Sequence, residues 1–397
     1  MTEGNMSKLE KLIQQYCPDG VEYKALGEVT IMKRGTSATK GIMQAGNIPV
    51  ISGGRQPAFY CNASNRTGEV ITVAGSGAGA GYVQYWNEPI FVCDAFSIQG
   101  NETLNTKYVY YVLTSIQEKI YSTKKGGGVP HVHISSIDKF EIPVPPLPVQ
   151  EEIVRVLDTF TELQAELQAE LQKRKQQYNF YRDNLLNFKD INRGGQEIKW
   201  MKLKDVATQW YRGAGIKREE VGNEGMPCIR YGEIHTSYNI WFKDCISHTD
   251  ETKQATKKYA EYGDILFAIT SEDIPLVGNS VAYLGKEKIM VGGDIVVMKH
   301  NQDPRYMAYA LSTSDAIKQK GKGKVKSKVV HTNVPSLQEI VIPIPPMEEQ
   351  QRIADILDRF DTLTNDLTSG LPAEIEKRRQ QYEFYRDKLL TFKRKEA

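Results

Sequence analysis

The stretch RKQQYNFYRDNLLNF, residues 174–188, recurs almost unchanged as RRQQYEFYRDKLLTF, residues 378–392. Eleven of the fifteen positions are identical, and several of the identical residues are polar. A self-match at a fixed distance is the sequence signature of a repeated structural unit. The chain is therefore predicted to contain the same helical unit twice.

The repeat begins upstream of this stretch, at a proline cluster. The segment FEIPVPPL (140–147) aligns with IVIPIPPM (340–347) at an offset of 200, whereas the offset is 204 at the far end. Proline is excluded from helix interiors and from central strands, so each cluster is interpreted as the start of a helix. The second copy has gained four residues.

Apolar residues after the first proline cluster recur in alternating steps of four and three. This heptad predicts one helix of about 39 residues, roughly 58 Å long, whose apolar stripe needs a partner helix. The second copy supplies a matching stripe, with two successive steps of four near Gly370 and Pro372, where a kink or a break is expected. The residues assigned to helix pairing are Leu157, Leu167, Leu171, Tyr178, Tyr181, Leu185, Leu357, Leu367, Leu371, Tyr382, Tyr385 and Leu389.

The chain order is globule, helix, globule, helix. The predicted fold class is α+β: two mixed α/β domains separated by a long antiparallel two-helix coiled coil, with a pseudo-twofold internal repeat. The predicted segments are residues 1–147, 148–190, 191–347 and 348–397. The alternative is two unrelated amphipathic helices, each packed on its own domain.

The two globules share a plan but little sequence. Strand patterns cover residues 69–74, 81–86 and 88–93 in the first globule and 264–269, 280–285 and 294–299 in the second. Each globule then has a helical pattern, over 107–120 and 305–319, and a histidine at the same offset, His131 or His331.

The helices kept identical polar residues while the globules diverged. An identical surface presented twice indicates two copies of one partner, and divergent globules indicate two different objects being recognised. The candidate partner-docking residues are Gln176, Gln177, Arg182, Gln380, Gln381 and Arg386.

The motif IPxPPxxxQxxIxxxLDxF, the helix ending in QQYxFYRDxLLxF and their recurrence after two variable domains resemble the specificity subunit of Type I restriction–modification enzymes. The resemblance covers the whole chain. It implies a subunit that is not an enzyme and that binds bipartite double-stranded DNA, with one target-recognition domain for each half-site. The chain accordingly has no NPPY, DPPY or Walker motif, and we assign it no catalytic and no metal-binding residue.

The resemblance also implies partners and cofactors. Two methylation subunits carrying S-adenosylmethionine are expected to dock around the paired helices. Two restriction/translocation subunits, which use ATP and Mg, are expected in the full complex. No cofactor is expected on this chain itself.

Basic residues on loops are the candidate DNA contacts. The segment KQKGKGKVKSK (318–328) has six lysines in eleven residues, and STKKGGGVPH (122–131) is a weaker counterpart. Lysines contact phosphates without reading sequence, whereas arginine can pair bidentately with guanine, and glutamine with adenine. The candidates are Arg34, Arg55, Gln56, Arg66, Lys124, Lys125, Arg212, Arg218, Arg230, Lys320, Lys322, Lys324 and Lys326. The alternative for the lysine-rich segments is a solvated loop.

The tetrapeptide repeat ELQAELQAELQ occupies residues 162–172. One tetrad adds about 6 Å of helix and rotates the remainder of the helix by about 40°. In the family that this chain resembles, such repeats are associated with the length of the DNA spacer.

Composition limits the remaining classes of function. The net charge is +2, the five cysteines are scattered without a CxxC, and no apolar run approaches the roughly 20 residues needed to span a bilayer. These features predict a cytoplasmic protein without a membrane segment. The main alternative function is a coiled-coil scaffold without DNA specificity; a stand-alone nuclease lacks the required metal-binding carboxylates.

Overall fold

The computed structural model describes residues 7–38, 44–188, 198–271, 276–321, 324–326, 329–365 and 370–396. The chain forms two compact units, the first from residues 1–167 and 375–397 and the second from residues 168–374. Each unit thus takes in one globule, the beginning of one helical repeat and the end of the other. Both globules are mixed α/β.

The described residues of the first globule form nine strands and five short helices. The strands are β1 Glu22–Ala25, β2 Thr30–Arg34, β3 Ile48–Ile51, β4 Phe59–Cys61, β5 Val70–Ala74, β6 Val83–Trp86, β7 Phe91–Val92, β8 Ala95–Gly100 and β9 Glu141–Val144. The helices are α1 Lys8–Tyr16, α2 Leu26–Val29, α3 Thr106–Ser115, α4 Gln117–Tyr121 and α5 Ile134–Ile137.

An antiparallel sheet in the order β2-β8-β5-β6 forms the centre of this globule. Its strand β5 is buried at every position, as expected for the apolar run VITVA. The sheet packs against α3 and, through Ile153 and Leu157, against the first helical repeat. A smaller sheet, β4-β3-β7, and the pair β1-β9 complete the globule.

The second globule has the same plan, with more strands among its described residues. Its strands are β10 Lys199–Lys202, β11 Ala207–Arg212, β12 Val221–Gly222, β13 Met226–Ile229, β14 Trp241–Phe242, β15 Ser247–Thr249, β16 Tyr259–Ala260, β17 Ile265–Ala268, β18 Thr270–Ser271, β19 Ser280–Tyr283, β20 Ile289–Val291, β21 Ile295–His300, β22 Lys324–Lys326, β23 Val329–His331 and β24 Val341–Ile344. Its α-helices are α7 Leu203–Val206, α8 Tyr231–Thr236, α9 Pro304–Leu311, α10 Ser314–Lys320 and α11 Val334–Gln338. The main sheet runs β11-β21-β17-β19-β14, beside a second five-stranded sheet, β12-β15-β13-β20-β16.

Each of the six strands expected from apolar patterns is present: β5, β6, β7, β17 and β19 are shorter than their patterns, and β21 has the predicted length but begins one residue later. The helical pattern 107–120 is divided into α3 and α4 at Ile116, and the pattern 305–319 into α9 and α10 after Leu311. In the second case Thr313 caps the new helix by accepting a hydrogen bond from the Ala316 amide, so a polar cap interrupts an otherwise continuous pattern.

The first helical repeat is a single helix, α6 Leu147–Leu185, of 39 residues, which is the predicted length. The second repeat is described as two helices, α12 Met347–Asn365 and α13 Leu371–Leu389. Gly370 lies in a bend before α13, while residues 366–369, including the predicted pairing residue Leu367, lie outside the described residues.

Three of the predicted pairing residues are buried within their units, whereas Tyr181 and Tyr385 are 40% and 37% exposed. Leu157 and Leu357 are fully buried, and Tyr178 is 5% exposed. In the first unit the ring of Phe160 stacks on Tyr385, with centroids 5.6 Å apart. In the second unit Tyr181 stacks on Phe360 at 5.8 Å. The same pair of aromatic residues is formed twice, with the two repeats exchanging roles.

Glutamines at the start of each repeat fasten the helix to its globule. The Gln150 side chain accepts a hydrogen bond from the Asn105 amide (2.8 Å) and donates one to the carbonyl of Pro145 (2.6 Å). Gln350 accepts from the Asp303 amide at 3.0 Å and donates to the Pro345 carbonyl at 2.8 Å. Some of the repeated polar residues are therefore needed inside each unit, whether or not a partner binds.

Residues 393–395 form backbone hydrogen bonds with Val21 in the first unit. The amide of Val21 donates to the carbonyl of Lys393, and the amide of Lys395 donates to the carbonyl of Val21, both at 2.9 Å. A Cβ atom at Gly20, whose φ is +100°, would lie 2.4 Å from the Lys393 carbonyl oxygen. This close approach requires glycine at position 20.

Candidate nucleic-acid interface

Each main sheet ends one edge strand at an Arg–Gly step. Arg34 closes β2 and Arg212 closes β11. The amide of Gly35 donates to the Ala95 carbonyl at 2.8 Å, and Gly213 makes the equivalent bond at 2.9 Å. A Cβ atom at either glycine would lie about 2 Å from a neighbouring carbonyl oxygen, so both steps exclude a side chain. These two predicted arginines therefore occupy equivalent positions.

Lysine-rich hairpins lie beside both steps. In the second unit β22 pairs with β23, which in turn pairs with β18. In the first unit Lys125 and His131 exchange backbone hydrogen bonds of 3.0 and 2.8 Å. Lys324 and Lys326 lie in β22, whereas Lys322 lies outside the described residues. The described part of the lysine-rich segment thus belongs to a sheet in the second unit, whereas in the first unit isolated backbone bridges to His131 hold it.

A cavity of about 380 Å³ opens at the Arg–Gly step of the first unit. Arg34, Asp94, His131 and His133 are among its lining residues. The two imidazole rings are stacked, with centroids 5.9 Å apart and an interplanar angle of 9°. The lining is mainly polar and combines a cation with hydrogen-bonding groups, which suits contact with base edges or phosphates.

The second unit has a larger cavity, of about 520 Å³, beside its own step. Its lining includes two predicted DNA contacts, Arg218 and Arg230, together with Tyr231 and Asp294. Arg218 is exposed and Arg230 is half-buried. The two domains therefore present different side chains at the same edge of the same sheet.

Two arginines that were predicted to read bases make hydrogen bonds within their own unit. All three guanidinium nitrogens of Arg66 donate hydrogen bonds of 2.7 to 2.8 Å. Nε donates to Ser97 Oγ, Nη1 to the Asn65 carbonyl and Nη2 to the Arg34 carbonyl. Arg212 donates to the Gly293 carbonyl (2.5 Å) and to Asp294 (2.6 Å). Both arginines thus have a structural task.

Lys320 requires a revised interpretation. Its side chain is buried at the end of α10, and its ammonium group bonds to Ser280 Oγ at 3.0 Å. Burial lowers the pKa of Lys320 to about 7. A buried amine of this kind does not reach a DNA phosphate, so Lys320 supports the second globule instead.

The remaining DNA-contact candidates lie on the surface of the first unit. Arg55 lies over the Tyr82 ring at 5.1 Å, and Lys124 over the Tyr121 ring at 4.2 Å. Gln56 and Lys125 are exposed.

The docking candidates divide into two groups. Gln176, Gln177, Gln380 and Gln381 are exposed. Arg182, in contrast, is buried, lies over the Tyr178 ring at 5.7 Å and pairs with Asp183 at 2.8 Å.

Arg386 repeats this arrangement: it lies over Tyr382 at 5.8 Å and pairs with Asp387 at 2.7 Å. The identity of the two Arg–Asp pairs thus has a reason within each unit. Burial leaves Arg182 little surface for a partner, whereas docking by Arg386 stays a prediction.

Two exposed phenylalanines were missed by the heptad. Phe180 is 62% exposed and Phe384 is 63% exposed. Each packs edge-on against the tyrosine next to it in sequence, with centroids 5.6 and 5.5 Å apart. The sequence does carry a signal for them: both repeats have phenylalanine at this position, although it lies outside the heptad stripe and core packing does not require an apolar residue there.

Within the described residues no helix is both long and apolar enough to cross a bilayer. The same part of the chain contains no cluster of three or more side chains suited to holding a metal ion.

The Type I restriction modification DNA specificity domain model matches residues 18–174 and, a second time, residues 196–377. The chain is 30% identical to the specificity subunit of the Type I restriction enzyme EcoR124I/EcoR124II of Escherichia coli, over 99% of this chain and 98% of that protein. It is 29% identical to a putative type I restriction enzyme specificity subunit of Haemophilus influenzae, over 98% and 100% of the two chains.

Two solved structures have the same fold. One is the Type I restriction–modification S subunit from M. genitalium, with a TM-score of 0.55 and 17% identity over 94% of this chain and 96% of that one. The other is a chain from a structure of complex assembly and conformational transition of the type I R-M system, with a TM-score of 0.62 and 16% identity over 94% and 98%.

Proposed function

Because the chain belongs to the family of Type I restriction–modification DNA specificity subunits, we propose that it recognises a bipartite double-stranded DNA sequence, one half-site with each globule. As a specificity subunit it is the non-catalytic component of a methyltransferase/endonuclease complex. Two methylation subunits and two restriction/translocation subunits are the proposed partners. S-adenosylmethionine, ATP and Mg are assigned to those partners, and the cytoplasm is the proposed location.

One observation supports the proposal of a bipartite DNA target. The two globules build the same sheet edge, with an Arg–Gly step and a lysine-rich hairpin, but line its cavity with different side chains. A shared frame with unlike linings fits two recognition surfaces of one origin that read different bases.

DNA binding by the chain co-expressed with its methylation subunit tests this function. Affinity for duplex DNA is expected to fall about 1,000-fold or more between 50 and 200 mM salt, because several lysine–phosphate contacts release counterions. Methylation mapping of the same complex should give one sequence with two defined halves and an unread spacer. Binding that ignores salt, with no defined methylated sequence, would instead support a scaffold without DNA specificity.

We further propose that the helical repeats form an antiparallel coiled coil with pseudo-twofold symmetry. The reciprocal stacking of Phe160 on Tyr385 and of Tyr181 on Phe360 supports this arrangement. So does the burial of Leu157 and Leu357 at equivalent positions.

The tetrad repeat is the proposed determinant of spacer length. Deleting residues 165–168 removes one tetrad from the middle of α6, which shortens the helix by about 6 Å. The preferred spacer is expected to become shorter while both half-sites stay the same. Methylation mapping measures both properties at once.

The matched control keeps the helix length. Substituting Ala165→Ser and Gln168→Glu, both on the solvated part of α6, should leave the spacer unchanged. A deletion variant with altered bases in either half-site would contradict the assignment of the tetrad to spacing.

A further inference from the structure

The side chains of Arg34 and Arg212, which occupy equivalent positions, differ in their hydrogen bonding. The Arg212 guanidinium is held by Asp294, which precedes β21, and by the Gly293 carbonyl. Asp94 precedes β8 in the same way, but it accepts a hydrogen bond from the Ser76 hydroxyl instead. Among the described residues, the exposed guanidinium of Arg34 has no hydrogen-bond acceptor and no ion-pair partner.

The backbone of Arg34 is nevertheless held firmly. Its carbonyl accepts a hydrogen bond from Arg66 Nη2 at 2.8 Å, and Arg66 is itself anchored on Ser97 at 2.7 Å. The next residue, Gly35, bonds to the Ala95 carbonyl at 2.8 Å. Because the backbone is already fixed, only the side chain of Arg34 has to be ordered when it binds a ligand.

The surroundings of Arg34 suit DNA. The side chain borders the cavity that His131 and His133 also line. His131 pairs through its backbone with Lys125, in the lysine-rich hairpin. The nearby carboxylate, Asp94, is already engaged by Ser76. A guanidinium beside phosphate-binding lysines can present its two-donor fork to the O6 and N7 acceptors of guanine.

We infer that Arg34 reads a guanine in the half-site bound by the first globule, that Arg66 positions it, and that Arg212 holds its sheet edge and reads no base. This inference rests on the proposed function and deepens it. Reading in the second globule falls to the arginines that line its cavity, Arg218 and Arg230.

Methylation mapping with the assembled methyltransferase tests the inference. Arg34→Lys keeps the charge but loses the planar fork, so it should relax one G·C position in one half-site while DNA affinity is largely retained. Discrimination at that position is expected to fall about 5- to 150-fold, the range for one bidentate contact. Arg34→Ala should relax the same position and also weaken binding.

Two matched variants complete the experiment. Lys33→Ala removes an exposed charge from the adjacent residue of the same strand and should keep the full recognition sequence. Arg212→Ala should keep both half-sites and lower the melting temperature.

The experiment distinguishes failure of the proposed function from failure of the assignment of Arg34. A wild-type complex that methylates no bipartite site would refute the proposed function itself. A wild-type complex with a normal bipartite site, combined with unchanged half-sites in both Arg34 variants, would overturn only the assignment of Arg34. Relaxation at an A·T position would overturn it as well.

Discussion

Replacing both Phe180 and Phe384 by alanine is expected to abolish assembly with the methylation subunits while the chain stays folded. Both side chains are more than 60% exposed, so their removal leaves no cavity in either unit. Large aromatic side chains that a partner covers commonly contribute about 2 kcal/mol or more each to binding, or about 30-fold in affinity. The effect on binding should therefore greatly exceed the effect on stability.

The single variants make the prediction sharper. The two phenylalanines occupy equivalent positions of the two repeats. If two methylation subunits bind as proposed, Phe180→Ala and Phe384→Ala should each lose one of them. Native mass spectrometry of the co-expressed complex counts them directly. The expected numbers are two for wild type, one for either single variant and none for the double variant.

Exposed tyrosines on the globules provide matched controls. Tyr60 is 56% exposed in the first unit and Tyr262 is 66% exposed in the second. Alanine at either position removes a similar exposed aromatic surface and should leave two methylation subunits bound. A double phenylalanine variant that still binds two subunits would show that the partner docks elsewhere.

The sequence predicted the helices better than their surroundings. A heptad is a local pattern with a fixed period, so it indicated the length of α6, while the pairing of the two helices along the heptad stays a prediction. The divisions at Ile116 and after Leu311 were missed because apolar periodicity continues across them. The second break is marked by the cap residue Thr313, whereas no described side chain caps the helix that begins after Ile116.

The fate of the basic residues was harder to predict, because charge alone does not tell where a side chain points. Lys320 was assigned to the surface from the lysine-rich composition of its segment. It lies one turn after the buried Ala316, on the same face of α10, and that spacing was the available signal. Arg182 lies one turn after Tyr178 in the same way.

No local sequence pattern could predict that, among the described residues, the Arg212 side chain bonds to an aspartate while the Arg34 side chain does not. Both precede a glycine at the end of a strand, and both lie near an aspartate that is distant in sequence. Which donor engages that aspartate depends on how Ser76 is placed in one globule, and that is a property of the tertiary fold.

Asp358→Ala is expected to destabilise the second unit by about 1 to 3 kcal/mol, the range for leaving largely buried hydrogen-bond donors without their acceptor. Arg305 keeps its ion pairs with Asp303 and Asp355, so its charge is not left uncompensated. The Asp358 carboxylate accepts hydrogen bonds from Trp241 Nε1 (2.9 Å) and from Arg305 Nη1 (2.8 Å). It also accepts one from the Tyr309 hydroxyl at 2.7 Å. Burial, and then the charge of Asp358, raises the pKa of Tyr309, so the hydroxyl keeps the proton that it donates.

The equivalent residue of the first repeat should matter less. Asp158 accepts from the Tyr111 hydroxyl (2.5 Å) and from Lys107 (2.8 Å), and the structure shows no tryptophan donor to it among the described residues. Asp158→Ala is therefore expected to cost less than Asp358→Ala, and the loss should be confined to the first unit. Hydrogen exchange on the full chain separates the two units, which a single melting curve of a two-unit protein does not.

Asp355→Ala is the matched control for Asp358→Ala. Asp355 is an exposed carboxylate on α12 that bonds to Arg305 at 2.7 Å, so its removal takes away one surface ion pair and leaves Asp358 in place. Only Asp358→Ala should speed exchange in α9 and α12. Equal protection in the two variants would mean that the repeated aspartate does not fasten the helix to the globule.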